Sequence, residues 1–296
     1  MLYGVIGIGS NSTRLLIGRP ESGKILPVLR LREGTRLFAG LSQGMLSPES
    51  MQSTAHAVYR FAMIAKEYSV DELRIIATSA ARDAANGAAL CDLVEAMSGY
   101  RPQILTGQEE AELSFVGCAG SHFAGMIDLG GGSTEIATGG EGRPFFGVSI
   151  QLGAGRLLQE MPSLTGAHFG AALQLCIRRV QKTFPTSQPL PLFWYGIGGT
   201  ITCLAAMDME LAVYDREAVN DHILTRNAVE AWAHRLAGMH FKERTEIPGI
   251  QPARADIITH GAVALLGILH GLQIDEVVVR NTSNLDGMLQ RLANER

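Results

Sequence analysis

A turn of glycine and hydroxyl residues with apolar flanks occurs twice in this chain, and it constrains the fold more than any other feature. The first copy is Gly9-Ser-Asn-Ser12, after the apolar residues 2–8, and the second is Gly130-Gly-Gly-Ser-Thr134, after the apolar residues 126–129. Strand-like residues follow each copy in the same register. Such a repeat predicts two related halves, and the alternation of strand and helix patterns around it predicts α/β domains.

The order of predicted elements is also repeated. Three short strands open each half, at 2–8, 13–17 and 25–31 and again at 126–129, 134–138 and 144–149. In the first half, Ser47 followed by Pro48 predicts the start of an amphipathic helix that runs to about Tyr68. The restart predicts an N-terminal domain at 1–122 and a C-terminal domain at 123–284. A helix predicted at about 285–296 is expected to pack back on the first domain.

Composition excludes several classes of protein. A chain of 296 residues that is 46% apolar is long enough for two full cores and is not disordered. Its net charge of -4 argues against proteins that coat nucleic acid or an anionic membrane. The four cysteines show no C-x-x-C pair and the amino terminus shows no secretion signal, so we expect reduced thiols in a cytoplasmic protein without a membrane span.

One local stretch is basic in spite of the overall acidic charge. Between residues 14 and 36 only Glu21 and Glu33 are acidic. The basic residues there are Arg14, Arg19, Lys24, Arg30, Arg32 and Arg36. This excess fits either a path for a polyanion or an exposed sheet face, and the second interpretation is slightly favoured.

The two repeated turns are candidate phosphate loops. Glycines let backbone N–H groups approach an oxyanion, and serine or threonine hydroxyls add further donors. The candidate residues are Gly9, Ser10, Asn11, Ser12, Gly130, Gly131, Gly132, Ser133 and Thr134. Either turn alone is equally well explained as a tight hairpin, but the repetition favours a ligand. Neither turn is followed by the lysine of a Walker loop, so a P-loop ATPase is disfavoured.

Acidic residues beside the second turn suggest metal or water binding. Asp128 ends a strand directly before Gly130, a position that aims its carboxylate at whatever the loop holds, such as Mg²⁺ or a water beside phosphate. The alternative is an aspartate that caps loop amides. Glu135 is either a second residue of this kind or one member of an ordinary cross-strand charge pair.

Three further groups lie near predicted strand ends. Glu109 and Glu110 stand where a helix begins, and spacing alone favours a capping role. Arg82 follows a turn at Thr78 and Ser79, where it is either a phosphate clamp or a solvated arginine. The segments 153–156 and 198–200 each lead into a helix and are anion sites or simple turns, and Gly198, Gly199 and Thr200 join the phosphate-binding candidates.

Taken together, these motifs resemble the exopolyphosphatase/guanosine pentaphosphate phosphohydrolase family through nearly the whole chain. The matching segments are Ile8-Gly-Ser-Asn-Ser12 with Arg14-Leu15, Arg36-Leu37 leading to Gly40-Leu41, residues 77–86, Thr106-Gly-Gln-Glu-Glu-Ala111, residues 127–135, Gly153–Arg156 and Gly198-Gly-Thr200. The resemblance implies two actin-like α/β domains of the ribonuclease H-like ASKHA superfamily, flanking a central cleft.

The same resemblance implies an activity and roles for residues. It implies hydrolysis of inorganic polyphosphate that depends on Mg²⁺ or Mn²⁺, with guanosine pentaphosphate as the alternative substrate and a homodimer as a possible assembly. Glu110 would be the general base that activates water, and Arg82 would bind the terminal phosphates. Asp128 would support the metal or the water, with Glu135 as the second metal candidate.

The chain also departs from the family pattern. Gly7 stands where the family's first loop usually has an aspartate, and Asn281 and Asp286 do not match the family's carboxy-terminal motif. Weaker metal binding, a changed preference for chain length or lost catalysis are the expected possibilities. The alternatives to polyphosphate hydrolysis are therefore a pppGpp 5′-phosphohydrolase and a sensor that binds polyphosphate or (p)ppGpp without turnover. A sugar or acetate-type kinase ranks last because no second-substrate motif is present.

Overall fold

The chain divides by its internal contacts into two units. Unit 1 comprises residues 1–117 and the helix that begins at Asn284, and unit 2 comprises residues 118–283. The computed structural model describes residues 1–21, 24–120, 122–185 and 187–295, with Lys24 described by its backbone alone. The break therefore falls at 117/118 rather than at 122/123, and residue 296 of the helix predicted at 285–296 lies outside the described part.

A five-stranded mixed sheet forms the centre of unit 1, in the order β3-β2-β1-β6-β7. The strands are β1 (Tyr3–Ile8), β2 (Thr13–Glu21), β3 (Lys24–Glu33), β6 (Glu72–Ala77) and β7 (Gln103–Ile104), with a separate pair β4 (Leu41–Ser42) and β5 (Met45–Leu46). Strand β1 is buried along its whole length, which explains its unbroken apolar sequence. It runs antiparallel to β2 and parallel to β6.

Helices cover both faces of this sheet. They are α1 (Pro48–Glu67), α2 (Ser79–Arg82), α3 (Gly87–Ser98), α4 (Gly107–Cys118) and α11 (Asn284–Asn294). Helix α1 begins as its sequence predicts, because the Ser47 side chain accepts a hydrogen bond from the Ser50 amide and Pro48 occupies the first turn. The turn predicted at Thr78 and Ser79 instead leads into the short helix α2, which begins at Ser79. Helix α11 packs on β1 and β2.

Unit 2 is built on a six-stranded sheet in the order β10-β9-β8-β11-β13-β12. The strands are β8 (Ala124–Leu129), β9 (Thr134–Gly140), β10 (Arg143–Ile150), β11 (Trp194–Ile197), β12 (Ile223–Thr225) and β13 (Glu276–Val279). As in unit 1, the first three strands form an antiparallel meander and the next ones join parallel to the first. Among the described residues of unit 1, no strand is equivalent to the antiparallel edge strand β12.

The helices of unit 2 enclose its core. They are α5 (Ala154–Glu160), α6 (Ala167–Thr183), α7 (Gly199–Asp208), α8 (Arg226–Ala237), α9 (Phe241–Thr245) and α10 (Ile258–Leu272). Helix α10 is apolar almost all round and is buried between its neighbours, as such a sequence requires. Gly267 in α10 lies directly against Cys176 in α6, so the two helices approach closely there.

The four cysteines are thiols, and those at 91, 176 and 203 are buried. Burial raises the pKa of the Cys176 thiol to about 12, so this group stays protonated. Among the described residues, no helix combines the length and the apolar character that crossing a lipid bilayer would take.

Candidate active site

The first repeated turn, residues 9–12 (loop 1), follows β1 in unit 1. The Gly9 amide donates to the Ser12 carbonyl at 3.1 Å, and the carbonyls of Ser10 and Asn11 accept from the backbone amides of Phe38 and Arg36 at 2.8 and 3.0 Å. The carbonyl and N–H of a trans peptide point in opposite directions. The N–H groups of Asn11 and Ser12 are therefore turned away from the 36–38 segment, as an anion site requires.

The second turn, residues 130–134 (loop 2), follows β8 in unit 2 and has the same internal bond. The Gly130 amide donates to the Ser133 carbonyl at 3.0 Å. The start of α5 holds the outer side of the loop, because amides at 154–156 donate to the carbonyls of Gly130 and Gly131, and Arg156 Nε donates to the Gly132 carbonyl at 2.6 Å. By the same peptide geometry, the amides of residues 131–133 are turned to the opposite side.

Thr134 differs from the other candidates in loop 2. Its side chain is fully buried, and its hydroxyl donates to the Leu152 carbonyl at 2.5 Å. A hydroxyl has one proton to donate. The structure therefore gives Thr134 a role in holding the loop, whereas the sequence analysis expected it to donate to phosphate.

Residues 198–200 (loop 3) link β11 to α7. Gly198 has φ +98°, and a side chain there would lie 2.5 Å from the Leu129 carbonyl oxygen and 3.1 Å from Asp128 Oδ1. Only glycine fits at this position, because the backbone is left-handed and the end of β8 leaves no space for a side chain. Thr200 is buried against Gly261 in α10. Because β8 and β11 are parallel, loops 2 and 3 emerge at the same edge of the unit 2 sheet.

Arg254 is a residue at this edge that the sequence analysis missed. It ends a short 3-10 turn, Pro252–Arg254, and its guanidinium lies so close to Gly199 that any side chain at 199 would overlap it. Arg244 holds the adjoining corner, since its Nη1 donates to the Ala255 carbonyl at 3.2 Å and to Thr259 Oγ1 at 2.8 Å. No local motif marks Arg254, and only the tertiary fold brings it to loop 3.

Asp128 and Glu135 are directly opposite each other on β8 and β9. Asp128 is half-buried, whereas Glu135 is 1% exposed and accepts a hydrogen bond from Ser149 Oγ at 2.6 Å. In the described part of the chain, no cluster of three or more histidine, cysteine, aspartate or glutamate residues is placed to hold a metal. A metal ion at this position would therefore take its remaining ligands from water or phosphate.

The carboxyl ends of β6 and β7 in unit 1 bring Arg82 and Glu110 together. Arg82 Nη1 donates to Glu110 Oε2 at 2.9 Å and to the Leu105 carbonyl at 3.0 Å. The Glu110 side chain is 8% exposed and that of Arg82 is 20% exposed. Strands β1, β6 and β7 are parallel neighbours, so loop 1 lies at the same sheet edge as this pair.

The neighbouring Glu109 forms a capping box with Thr106, the residue directly before α4. Its carboxylate accepts from the Thr106 amide at 2.7 Å and from the Thr106 hydroxyl at 2.8 Å, and Thr106 in turn accepts from the Glu109 amide. These hydrogen bonds from Thr106 lower the pKa of the Glu109 carboxyl. The capping interpretation, which spacing favoured for both glutamates, therefore applies to Glu109 and not to the buried Glu110.

Comparison with known proteins decides the family. The Ppx/GppA phosphatase family model matches residues 16–295. The chain belongs to this family. Exopolyphosphatase 2 of Mycobacterium tuberculosis is 32% identical over 315 aligned residues, which cover 97% of each protein.

Solved structures agree on the fold. An exopolyphosphatase-like protein of 27% identity superposes with a TM-score of 0.88, over 100% of this chain and 99% of its own. An exopolyphosphatase from Cytophaga hutchinsonii superposes with a TM-score of 0.88 at 22% identity, over 100% and 98%. The predicted α/β fold is thereby confirmed.

The positions that depart from the Ppx/GppA pattern have structural partners. Asn281 Nδ2 donates to Tyr214 Oη and to the Arg216 carbonyl, each at 3.0 Å. Asp286 forms an ion pair with Arg30. A Cβ at Gly7 would lie 2.6 Å from Leu285 Cδ1. Leu285 therefore occupies the space that the side chain of the expected aspartate would need.

The basic stretch of unit 1 splits between structural and exposed positions. Arg30 is paired with Asp286, and Arg14 donates to Asn284 Oδ1 at 3.2 Å. Arg19 pairs with Glu21 on the surface. Arg32 and Arg36 are exposed, and the side chain of Lys24 lies outside the described part.

Proposed function

We propose that this chain removes terminal phosphate from inorganic polyphosphate, with water as the nucleophile and Glu110 as the general base. The observation that carries the proposal is the Arg82–Glu110 pair, a buried carboxylate held at the sheet edge where loop 1 emerges. A carboxylate in such a position can accept the proton of an attacking water. The relatives named as exopolyphosphatases support polyphosphate as the substrate class.

The loops supply the second requirement, which is stabilisation of phosphoryl oxygens. Phosphoryl transfer depends on positioning and on donors aimed at developing negative charge. Loop 1 offers the amides of Asn11 and Ser12 and two serine hydroxyls, and loop 2 offers the amides of residues 131–133. Loop 3 offers the amino-terminal amides of α7 with the Arg254 guanidinium beside them.

We further propose Mg²⁺ or Mn²⁺ as the cofactor. Asp128 would hold it, because this half-buried carboxylate is the last but one residue of β8, next to loop 2, and the lack of a side chain at Gly198 leaves room beside Oδ1. Glu135 is the second candidate. Mg²⁺ is commonly bound through one or two carboxylates together with substrate phosphates, which fits this donor set. When bound, the ion would neutralise charge on the phosphate chain.

The test compares two adjacent glutamates. Purified protein given polyphosphate and Mg²⁺ should release orthophosphate, and Glu110→Gln should lower turnover by about 10²- to 10⁴-fold, the usual contribution of a general base. Glu109→Gln is the matched control. It keeps an oxygen that can accept from the Thr106 amide, as glutamine does in a capping box, and should keep turnover within a few-fold of the wild type.

Two outcomes would overturn the proposal. Full turnover in Glu110→Gln would remove this residue from the role of base. Binding of polyphosphate by the wild type without phosphate release would show a sensor in place of an enzyme. Running pppGpp beside polyphosphate in the same assay identifies the preferred substrate.

A further inference from the structure

Equivalent positions in the two repeats carry different residues. Asp128 stands two residues before Gly130 in unit 2, and Gly7 stands two residues before Gly9 in unit 1. Each is opposite a charged partner on the next strand, Glu135 for Asp128 and Arg14 for Gly7. At the position two residues before the first glycine of the loop, the repeat in unit 2 therefore has a carboxylate and the repeat in unit 1 does not.

The space beside Gly7 is filled from the carboxy-terminal helix. Leu285, in the first turn of α11, is 2% exposed. A Cβ on Gly7 would lie 2.6 Å from Leu285 Cδ1 and 3.4 Å from its Cγ. The Leu285 side chain belongs to an apolar cluster with Tyr3, Val5, Leu16, Leu113 and Met288. A carboxylate placed at residue 7 would be buried among these apolar groups, which is unfavourable without a partner.

Three contacts fix the first turn of α11. Asn284 accepts a hydrogen bond from Arg14, and Asp286 is paired with Arg30. Gly287 lies directly against the Leu113 carbonyl of α4, where no side chain fits. The contacts of Asn284 on one side and of Asp286 and Gly287 on the other therefore hold Leu285 over Gly7.

Glycine at position 7 also determines the charge beside loop 1. Arg14 is directly opposite Gly7 on one side and Arg32 on the other. Like charges directly opposite each other repel, and glycine adds no negative charge to this row. A carboxylate at position 7 would lie beside Arg14 and neutralise it, whereas the neutral Asn284 amide leaves its charge intact.

We propose that position 7 determines the specificity of loop 1: with glycine there, and with Leu285 filling the space of a side chain, no carboxylate stands two residues before the loop, so that loop 1 and Arg14 bind phosphate directly and without a metal ion. This inference rests on the proposed function, because it assigns one phosphate subsite of that reaction. Metal binding is then left to Asp128 in unit 2.

The test is binding of inorganic tripolyphosphate, measured by calorimetry in EDTA and in Mg²⁺. Glu110→Gln serves as the background in every protein, so that hydrolysis is slow during the binding measurement. The background protein should bind in EDTA. Adding Leu285→Ala should change the Kd by less than about threefold, since it leaves the charge row intact.

Adding Gly7→Asp together with Leu285→Ala supplies both a carboxylate and the space for it. This protein should bind about tenfold or more weakly in EDTA than the Leu285→Ala control, because the new charge neutralises Arg14 and repels phosphate. Mg²⁺ should restore much of the loss. Thermal unfolding of each protein confirms that the fold is kept.

The inference is overturned if the background protein binds only with Mg²⁺, or if the added carboxylate leaves binding in EDTA unchanged. Failure of the proposed function has a different signature, which is absence of orthophosphate release by the wild type while binding in EDTA follows the expected order.

Discussion

The two sheets place their residues in the same register but carry opposite charge beside their loops. In unit 1 the row across the sheet reads Ile76, Gly7, Arg14, Arg32, and in unit 2 the equivalent row reads Ile197, Asp128, Glu135, Ser149. The backbone bond that closes each loop is the same, from Gly9 to Ser12 and from Gly130 to Ser133. The comparison teaches that two loops with the same closing backbone bond stand beside side chains of opposite charge, arginines in unit 1 and carboxylates in unit 2.

The loops are also supported differently. Loop 1 rests on the backbone of residues 36–38, where Arg36 has a left-handed φ of 48°. Loop 2 rests on the first turn of α5, which binds three consecutive carbonyls. Loop 2 is thus held by the first turn of α5. Substitutions that shift the start of α5 should therefore shift the loop as well.

The largest effect that sharpens this comparison is expected from Gly153→Ala, at the start of α5. A side chain there would lie 2.5 Å from the Gly131 carbonyl and 2.7 Å from the Gly132 nitrogen, so the loop must move. We expect a loss of about 1–3 kcal/mol in unfolding free energy. Turnover should fall by about tenfold or more, because small shifts of a positioned group cost much of its effect.

Gly34→Ala in unit 1 is the matched control, since among the described residues other than its chain neighbours no atom lies within 4 Å of the added Cβ. Its unfolding free energy should stay within about 0.5 kcal/mol of the wild type. Denaturant unfolding and phosphate release measure both quantities. Equal behaviour of the two variants would show that α5 does not determine the geometry of loop 2.

Sequence reasoning recovered the parts of this molecule that depend on local signals. The duplicated turn, the Ser47 cap and the apolar pattern of β1 each carry their own physical cause within a few residues. Spacing could not separate Glu109 from Glu110, because both stand at a helix start and burial alone distinguishes them. Arg254 is distant in sequence from Gly199 and Leu285 from Gly7, the residues they lie against, so no local pattern could assign them.

A smaller effect concerns acid stability, which should differ between the units. Seven of the eight histidines lie in unit 2, the other being the exposed His56. His260 is 5% exposed and bonded through Nε2 to the Met161 carbonyl at 3.0 Å. Burial lowers the pKa of this imidazole, and the nearby Arg244 charge adds to the effect.

The sign follows from proton binding. Because the unfolded state binds the His260 proton more readily, stability is fully present above the ordinary imidazole pKa near 6.5 and is lost as pH falls towards the lower folded pKa. The loss is at most about 1.4 kcal/mol per pH unit. Thermal unfolding between pH 7.5 and 5.5 should therefore show a smaller decline in His260→Gln than in the wild type. Identical declines would assign the acid sensitivity to other groups.

The most direct test of the division between the units is Mn²⁺ binding followed by electron paramagnetic resonance. Asp128→Asn should weaken binding by about tenfold or more, as loss of a coordinating group does. Asp275→Asn, at an exposed ion pair with Arg226 in the same unit, should bind like the wild type. Glu110→Gln in unit 1 should also bind like the wild type. Undiminished binding by Asp128→Asn, or its loss in Glu110→Gln, would contradict the account.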